Sequence, residues 1–296
     1  MTQPGARLLL CPTPLGNLGD ITLRTLEALR SCDVIFAEDT RVTAKLLNHY
    51  GIAKPLRSYH ARVLAKRARE LAMLLDGGKS VAAVADAGMP GISDPGAELV
   101  RLARARGAAV ECLPGATAFA GALVLSGFDV GRFRFESFPP RKPGARRDYL
   151  RALETETVAV AWYEAPTRVL GLLEDIEATL SQRRVFVLRE YTKKFEQQAL
   201  GTAAEVRSEL GLVPRGEIVV VLEGAPKRRL AEREPQLLSA ALGVLVAHGV
   251  SVKEAVDAFR KVGGVPRNRL YELAQGLESA QALRGARKAG PTLKTR

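Results

Sequence analysis

Short apolar runs recur along the first part of the chain, each followed by a turn rich in Gly, Pro or Asp and then by apolar residues at helical spacing. Leu8 to Pro12, Val34 to Ala37, Ser80 to Ala85 and Ala109 to Leu113 predict strands. A helix is predicted between the first two, with Leu23, Leu26 and Leu29 on one face and Asp20 as N-cap. Further helices are predicted over Val42 to Tyr50, stopped by Gly51, and over Arg62 to Leu75, ending at Gly77-Gly78. Asp94 as cap with Pro95 at the first position opens another, and Thr117 to Ser126 follows Pro114-Gly115. Alternation of this kind builds a largely parallel sheet with helices on its faces.

Gly127 and Gly131 mark a boundary near Ser126 to Arg132. The pattern beyond it is mixed. Strands are predicted at Arg134 to Phe138, Val158 to Tyr163, Val185 to Arg189, Gln197 to Leu200 and Ile218 to Leu222, with helices at Ala145 to Glu154, Pro166 to Leu180 and Ala203 to Leu210. Ala225 to Pro235 reads as a polar linker. A small helical module follows: Leu237 to Ala247, then a capping box Ser251 to Glu254 opening a helix to Lys261, a break at Gly263-Gly264 and a last helix from Pro266 to Gln275. A helix-turn-helix and a plain helical cap fit it equally. The predicted organisation is two α/β domains, 1–126 and 127–226, with a cleft between them, a helical module at 236–280 and a basic tail at 281–296. In that tail Arg284 to Arg296 reads as disordered.

Charge changes the picture. The 296 residues carry 44 Lys and Arg against 32 Asp and Glu, a formal net charge of +12. That excess suits a polyanion such as nucleic acid or a membrane surface, although a basic surface can also be inert. No apolar run reaches the ~20 residues of a membrane span, and Leu8 to Cys11 is too short for a secretion signal, so a cytoplasmic protein is expected. Cys11, Cys32 and Cys112 lack metal-like spacing and read as buried free thiols. His49, His60 and His248 are scattered, so no metal site is expected. Dinucleotide, P-loop, serine-hydrolase and zinc-protease signatures are missing.

What remains is four loops at the C-terminal ends of predicted strands, the edge where open α/β sheets bind ligands. They are TPLGNLGD from Thr13, AEDTR from Ala37, ADAGMPGISDPG from Ala85 and PGATA from Pro114. Asp20 and Asp94 are explained as helix caps. Asp86 has no helix to cap at once, which points to a ligand.

Taken in order, TPLGNLGDIT, AEDTR, SYH, DAGMPGISDPG, LPGATA, FPPRK, WYEAPTR, LREYTKKFE and GEIVVVLEG resemble the motifs of the ribosomal RNA small subunit methyltransferase I family, in the tetrapyrrole methylase superfamily. The resemblance runs from about Leu8 to Gly224. It implies an S-adenosylmethionine-dependent enzyme that methylates the ribose 2′-oxygen of a decoding-centre cytidine in 16S ribosomal RNA within the small ribosomal subunit, and a homodimer. It also implies a cofactor held by Leu15, Gly16 and Asn17, by Asp86, Ala87 and Gly88, by Thr117 and Ala118, by Tyr163 and Glu164, and by Glu223 and Gly224. The chain departs from the family pattern at Ala85 and Met89, in PGATA, and after His60, where Val63 and Leu64 stand near the place of an Asn-Glu pair.

A hydroxyl is a poor nucleophile at neutral pH, so a proton acceptor would help. Candidates are Glu38, Asp39, His60 and Glu164, yet Glu38 and Asp39 can pair with Arg41, and Glu164 with Arg168. Catalysis by positioning alone is equally open. For RNA, the basic residues Arg141, Lys142, Arg146, Arg147 and Arg151 run through a Pro/Gly loop into a helix, with Arg168, Lys193 and Lys194 on neighbouring loops. Tyr59, Phe138 and Tyr163 can stack on bases or serve as core and walls. A tetrapyrrole methyltransferase and a non-catalytic RNA-binding protein are the competing readings.

Overall fold

The structure, a computed structural model, describes residues 5–60, 63–212, 214–226, 235–263 and 267–274. Five short strands, β1 (Arg7–Leu10), β2 (Val34–Ala37), β3 (Leu56–Ser58), β4 (Ser80–Val84) and β5 (Ala109–Cys112), form a parallel sheet in the order β3-β2-β4-β1-β5. β3 escapes a reading by pattern because Leu-Arg-Ser has no apolar alternation; it is held by its register against Ile35 to Ala37. Successive strand residues point to opposite faces. Leu9, Ile35, Ala82 and Val84 pack with Leu26 and Leu29 of α1 (Leu23–Ser31) and Leu47 of α2 (Thr40–His49). Leu8, Phe36, Val81 and Ala83 pack with Leu71 and Leu75 of α3 (Leu64–Asp76) and Leu99 of α4 (Gly96–Ala105) on the other face.

Two local expectations need correction. The N-cap of α1 is Thr22, whose hydroxyl accepts from the Thr25 N–H; Asp20 instead ends a short 3₁₀ turn, Leu18–Asp20, capped by Asn17. Leu23 is 84% exposed, because the first residue of α1 lies beyond the reach of the core that buries Leu26 and Leu29.

The second sheet contains β6 (Phe133–Phe135), β7 (Ala159–Glu164), β8 (Arg184–Arg189), β9 (Gln197–Thr202) and β10 (Ile218–Leu222) in the order β6-β7-β10-β8-β9. β6 runs parallel to β7, and the other pairings are antiparallel. One face carries α6 (Pro143–Ala152), α7 (Val169–Thr179) and α8 (Ala203–Leu210), with Leu150, Leu172 and Val206 packed on Trp162, Val187 and Val220. A Thr202–Glu205 capping box opens α8. The other face is covered by α5 (Ala118–Ser126), although α5 follows β5 of the first sheet. Its Ala122 and Leu123 pack with Phe128 on Ala161, Phe186, Val219 and Val221. This crossing packs the two halves into one compact unit, Met1–Gly224.

Ala225–Arg296 forms a second unit. α9 (Pro235–Ala247), α10 (Val252–Gly263) and a helical stretch at 267–274 bring Leu238, Leu242, Val256 and Leu270 together. Ser251 and Glu254 form the expected capping box. Residues 227–234 of the expected linker, Pro266, Gln275 and the basic tail lie outside the described residues.

Arg146, expected to face RNA, is buried beneath α7. Its Nε donates to Asp175 Oδ2 at 2.7 Å and its Nη2 to the Gly171 carbonyl at 3.0 Å. Its place on α6 turns it inward with Leu150, which makes it a structural cation. Removing one partner of a buried ion pair leaves the other charge uncompensated. Arg146→Met should therefore lower unfolding free energy in urea by about 3 kcal/mol, despite Arg147 remaining near Asp175. A loss below about 1 kcal/mol would contradict this structural role.

Candidate active site

The site is assembled from loops that follow parallel strands. The loop after β1 and the loop after β4 are joined by a two-bond bridge: Thr13 N–H donates to the Gly88 carbonyl and Gly88 N–H to the Thr13 carbonyl, each at 3.0 Å. The buried Thr13 hydroxyl donates to the Ala85 carbonyl at 3.1 Å. Gly88 has φ +78°, and a Cβ there would fall 3.1 Å from Leu15 Cδ2 and 3.3 Å from the Ala116 carbonyl oxygen. A Cβ on Gly115, in the loop after β5, would fall 2.6 Å from Pro12 Cβ. The loop after β2 is tied in by the Asp39 N–H, which donates to Asp86 Oδ1 at 2.8 Å. Asp94 accepts from the Gly91 and Gly96 N–H groups, but α4 begins at Gly96 with Pro95 as its N-cap, so Asp94 ties the loop ahead of the helix and is not the expected cap.

Against these loops stands the edge of the second sheet, and between them lies a cavity of about 380 Å³. Leu15, Asp86, Ala87, Ala118, Tyr163 and Glu164, all expected at a cofactor, line it together. Of the rest, Gly88 pins the loops, Gly16 lies directly under the Lys193 side chain, and Asn17 donates its N–H to Thr192 Oγ1 at 3.2 Å. Thr117 lines a neighbouring groove beside Tyr191.

Glu223 and Gly224 are a correction. β10 is antiparallel to β7, with Ile218 opposite Glu164 and Leu222 opposite Val160, so its N-terminal end faces the cavity. Glu223 sits at the far end, where Arg184 Nε donates to its carboxylate at 2.9 Å, and Gly224 packs beside Thr157. Gly216 to Val219 line the cavity instead, with Leu188 and Tyr191 from the end of β8. The stretch is legible in the sequence, but its direction in the sheet is a tertiary property. Met89, Ile92 and Phe138 also line the cavity; nothing in their own spacing announces it. Ser93 Oγ and Ser137 Oγ are 2.8 Å apart and link the loops after β4 and β6, both with left-handed backbone at φ 66° and 53°.

The four candidate proton acceptors separate. Glu38 and Glu164 line the cavity; Asp39 and His60 do not. Asp39 caps α2 and is gripped by Arg41, whose hydrogen bonds hold its pKa down to about 2. Burial, and then the charge of Asp86, push the Glu38 carboxyl above its ordinary range. Glu164 is wholly buried: its Oε1 accepts from Arg168 Nε and the Ala165 N–H, both at 2.7 Å, while Oε2 has no protein partner. Burial raises the Tyr163 hydroxyl.

Among the basic candidates, Arg141, Lys142 and Arg151 are exposed and Arg147 is half-buried. Lys193 pairs with Glu190 and Glu217, and Lys194 lies over the Phe195 ring. Tyr59 is fully buried and cannot stack on a base, whereas Phe138 is 49% exposed and adjoins Tyr163. Cys11 and Cys32 are buried free thiols, and burial pushes Cys11 up to about 12. Cys112 is exposed instead, because β5 is an edge strand there, with Sγ 3.5 Å from Met89 Sδ. Among the described residues no cluster of His, Cys, Asp and Glu can hold a metal. An acidic, partly apolar cavity of this size suits a small organic cation.

Residues 7–207 match the family described as Tetrapyrrole (Corrin/Porphyrin) Methylases. A protein of Thermotoga maritima named ribosomal RNA small subunit methyltransferase I is 45% identical over 219 residues, 74% of this chain and 98% of the relative. The chain belongs to the ribosomal RNA small subunit methyltransferase I family. A member from Synechocystis sp. is 40% identical over 274 residues, 92% of this chain and 98% of the relative. The crystal structure of diphthine synthase matches with a TM-score of 0.57 at 16% identity, covering 73% of this chain and 90% of that one, a likeness of fold alone. The two α/β halves are those of the tetrapyrrole methylase type, as the resemblance implied. Methyltransferases of this kind use S-adenosylmethionine, a cation.

The raised Glu38 carboxyl gives this cavity a pH signature. As pH falls, Glu38 is protonated earlier than an ordinary glutamate, and the cavity loses a negative charge. Affinity for S-adenosylmethionine, followed by calorimetry from about pH 8 to about pH 5, should weaken across the lower part of that range. Glu38→Gln should flatten the profile; an unchanged profile would remove Glu38 from the cation's surroundings.

Proposed function

We propose that the protein transfers the methyl group of S-adenosylmethionine to the ribose 2′-hydroxyl of a decoding-centre cytidine in small-subunit (16S) ribosomal RNA. The observation that carries this reading is the cavity itself, which sets Glu38, Asp86 and the unpartnered Oε2 of Glu164 among apolar walls. The residues fit the cofactor: Leu15, Ala118, Leu188 and Val219 offer apolar surface, and the carboxylates offer counter-charge and hydrogen-bond acceptors. Asp86, Ala87, Tyr163 and Glu164 would hold it. When bound, it supplies a methyl group already activated on a sulfonium, so the protein's work is positioning and exclusion of water.

Glu38 is the group suited to receive the hydroxyl proton. It lines the cavity, its raised carboxyl lies nearer neutrality than an ordinary glutamate, and no arginine grips it as Arg168 grips Glu164. RNA is met by the exposed Arg141 and Lys142, with Arg147, Arg168 and Lys193 at shorter reach. The protein works as a cytoplasmic homodimer. Exposed Val124 and Leu125 of α5 with Phe133 of β6 form apolar surface that a second copy would cover, and among the described residues no helix is long and apolar enough to cross a membrane. Domain limits of 1–126 and 127–226, followed by a small C-terminal helical module, go with this reading.

The test is incubation with labelled S-adenosylmethionine and small ribosomal subunits lacking the modification. Label should appear in the RNA at a ribose 2′-oxygen. Asp86→Ala should weaken cofactor affinity roughly tenfold or more, as loss of a charged acceptor predicts. Label in a precorrin-type substrate, with none in RNA, would sink the reading.

A further inference from the structure

A second cavity, of about 190 Å³, lies beside the cofactor cleft and shares Asp86 with it as a common wall. Its sides are apolar, formed by Leu18, Val42 and Leu46, and the exposed Lys45 stands at its rim. Thr43 of α2 also lines it. Thr43 is 2% exposed, and its Oγ1 is buried without a hydrogen-bond partner. A helical threonine ordinarily satisfies its hydroxyl on the carbonyl four residues back. Here the Asp39 carbonyl takes the Thr43 N–H at 3.1 Å, and the hydroxyl makes no such bond. A buried hydroxyl left unpaired costs stability, so its retention beside an open cavity points to a ligand that completes it.

We propose that this cavity receives the pyrimidine base of the nucleotide whose ribose is methylated, an inference that rests on the RNA reading above. The cavity has about half the volume of the cofactor cleft and walls that suit one flat ring. Thr43 Oγ1 and the Asp86 carboxylate offer a donor and an acceptor to the edge of that ring, the pairing that a base requires. The ammonium of Lys45 at the mouth meets an adjoining phosphodiester. Because Asp86 borders both cavities, a base seated here leaves its own ribose at the junction with the cofactor cleft.

Thr43→Val keeps the shape of the side chain and removes the hydroxyl. With the full chain and small ribosomal subunits, kcat/KM for RNA should fall roughly 10- to 100-fold, while S-adenosylmethionine affinity stays within about twofold. Tm should hold or rise, since an unpaired buried hydroxyl has gone. Thr43→Ser should recover most of the loss. Wild-type kcat/KM in Thr43→Val overturns the proposal, and so does a matching loss of cofactor affinity, which would make the cavity part of the cofactor site. If the unmutated protein puts no label into RNA, the functional reading fails separately. The cavity is then decided by saturation-transfer NMR with cytidine as the probe. Transfer to the base protons that Thr43→Val abolishes supports the pocket, and no transfer in the unmutated protein overturns it.

Discussion

The bridge between Thr13 and Gly88 holds the functional half of this molecule together. β1 and β4 are neighbours in a parallel sheet, yet the chain leaves β1 for α1 on one face and leaves β4 for α4 on the other. Diverging loops of this kind open a crevice at the C-terminal edge of a sheet. Two backbone hydrogen bonds, backed by the buried Thr13 hydroxyl on the Ala85 carbonyl, close its floor. The left-handed backbone of Gly88 and the contact between Gly115 and Pro12 let the third loop approach at backbone distance. Asp86 is thereby held where its carboxylate can accept the Asp39 N–H and face two cavities.

The second sheet supplies what the first cannot. Its antiparallel pairings bring the ends of β7 and β8 and the beginning of β10 to one edge, so Glu164, Leu188 and Ile218 arrive together from distant parts of the chain. α5 provides the packing between the halves, because its residues are apolar on every side and Ala122 and Leu123 find their partners on the far sheet. The resulting cleft joins negative charge to apolar surface. Inside it, a carboxylate partly withdrawn from water has a stronger electrostatic effect than one at the surface. Burial, and then the charge of Asp86, raise the cost of ionising Glu38.

Much of the fold was legible in residue order. β10 and α8 occupy the stretches that their patterns mark, and β2 does so too, because apolar runs and capping residues act locally. The four loops were legible for the same reason: Gly, Pro and Asp cluster where strands end. β3 was not, since three residues carry no period. Leu23 and Arg146 escape the pattern for the same physical reason from opposite sides. A helix pattern says which residues share a face, and it does not say where the neighbouring element begins or that an arginine will find an aspartate across 29 positions.

By itself the sequence determined the strand-helix alternation, the family and the chemistry of the loops, because propensity, capping and turn geometry are short-range and written in adjacent residues. Only the tertiary structure decided which end of β10 meets the cleft, where α5 buries its apolar surface, which basic residues remain exposed and which polar atoms lack partners. Those outcomes depend on strand direction and on contacts between residues far apart in the chain. Thr43 illustrates the difference: in the sequence it is one threonine in a helix, and in the fold it is a buried hydroxyl beside a cavity with no hydrogen-bond partner.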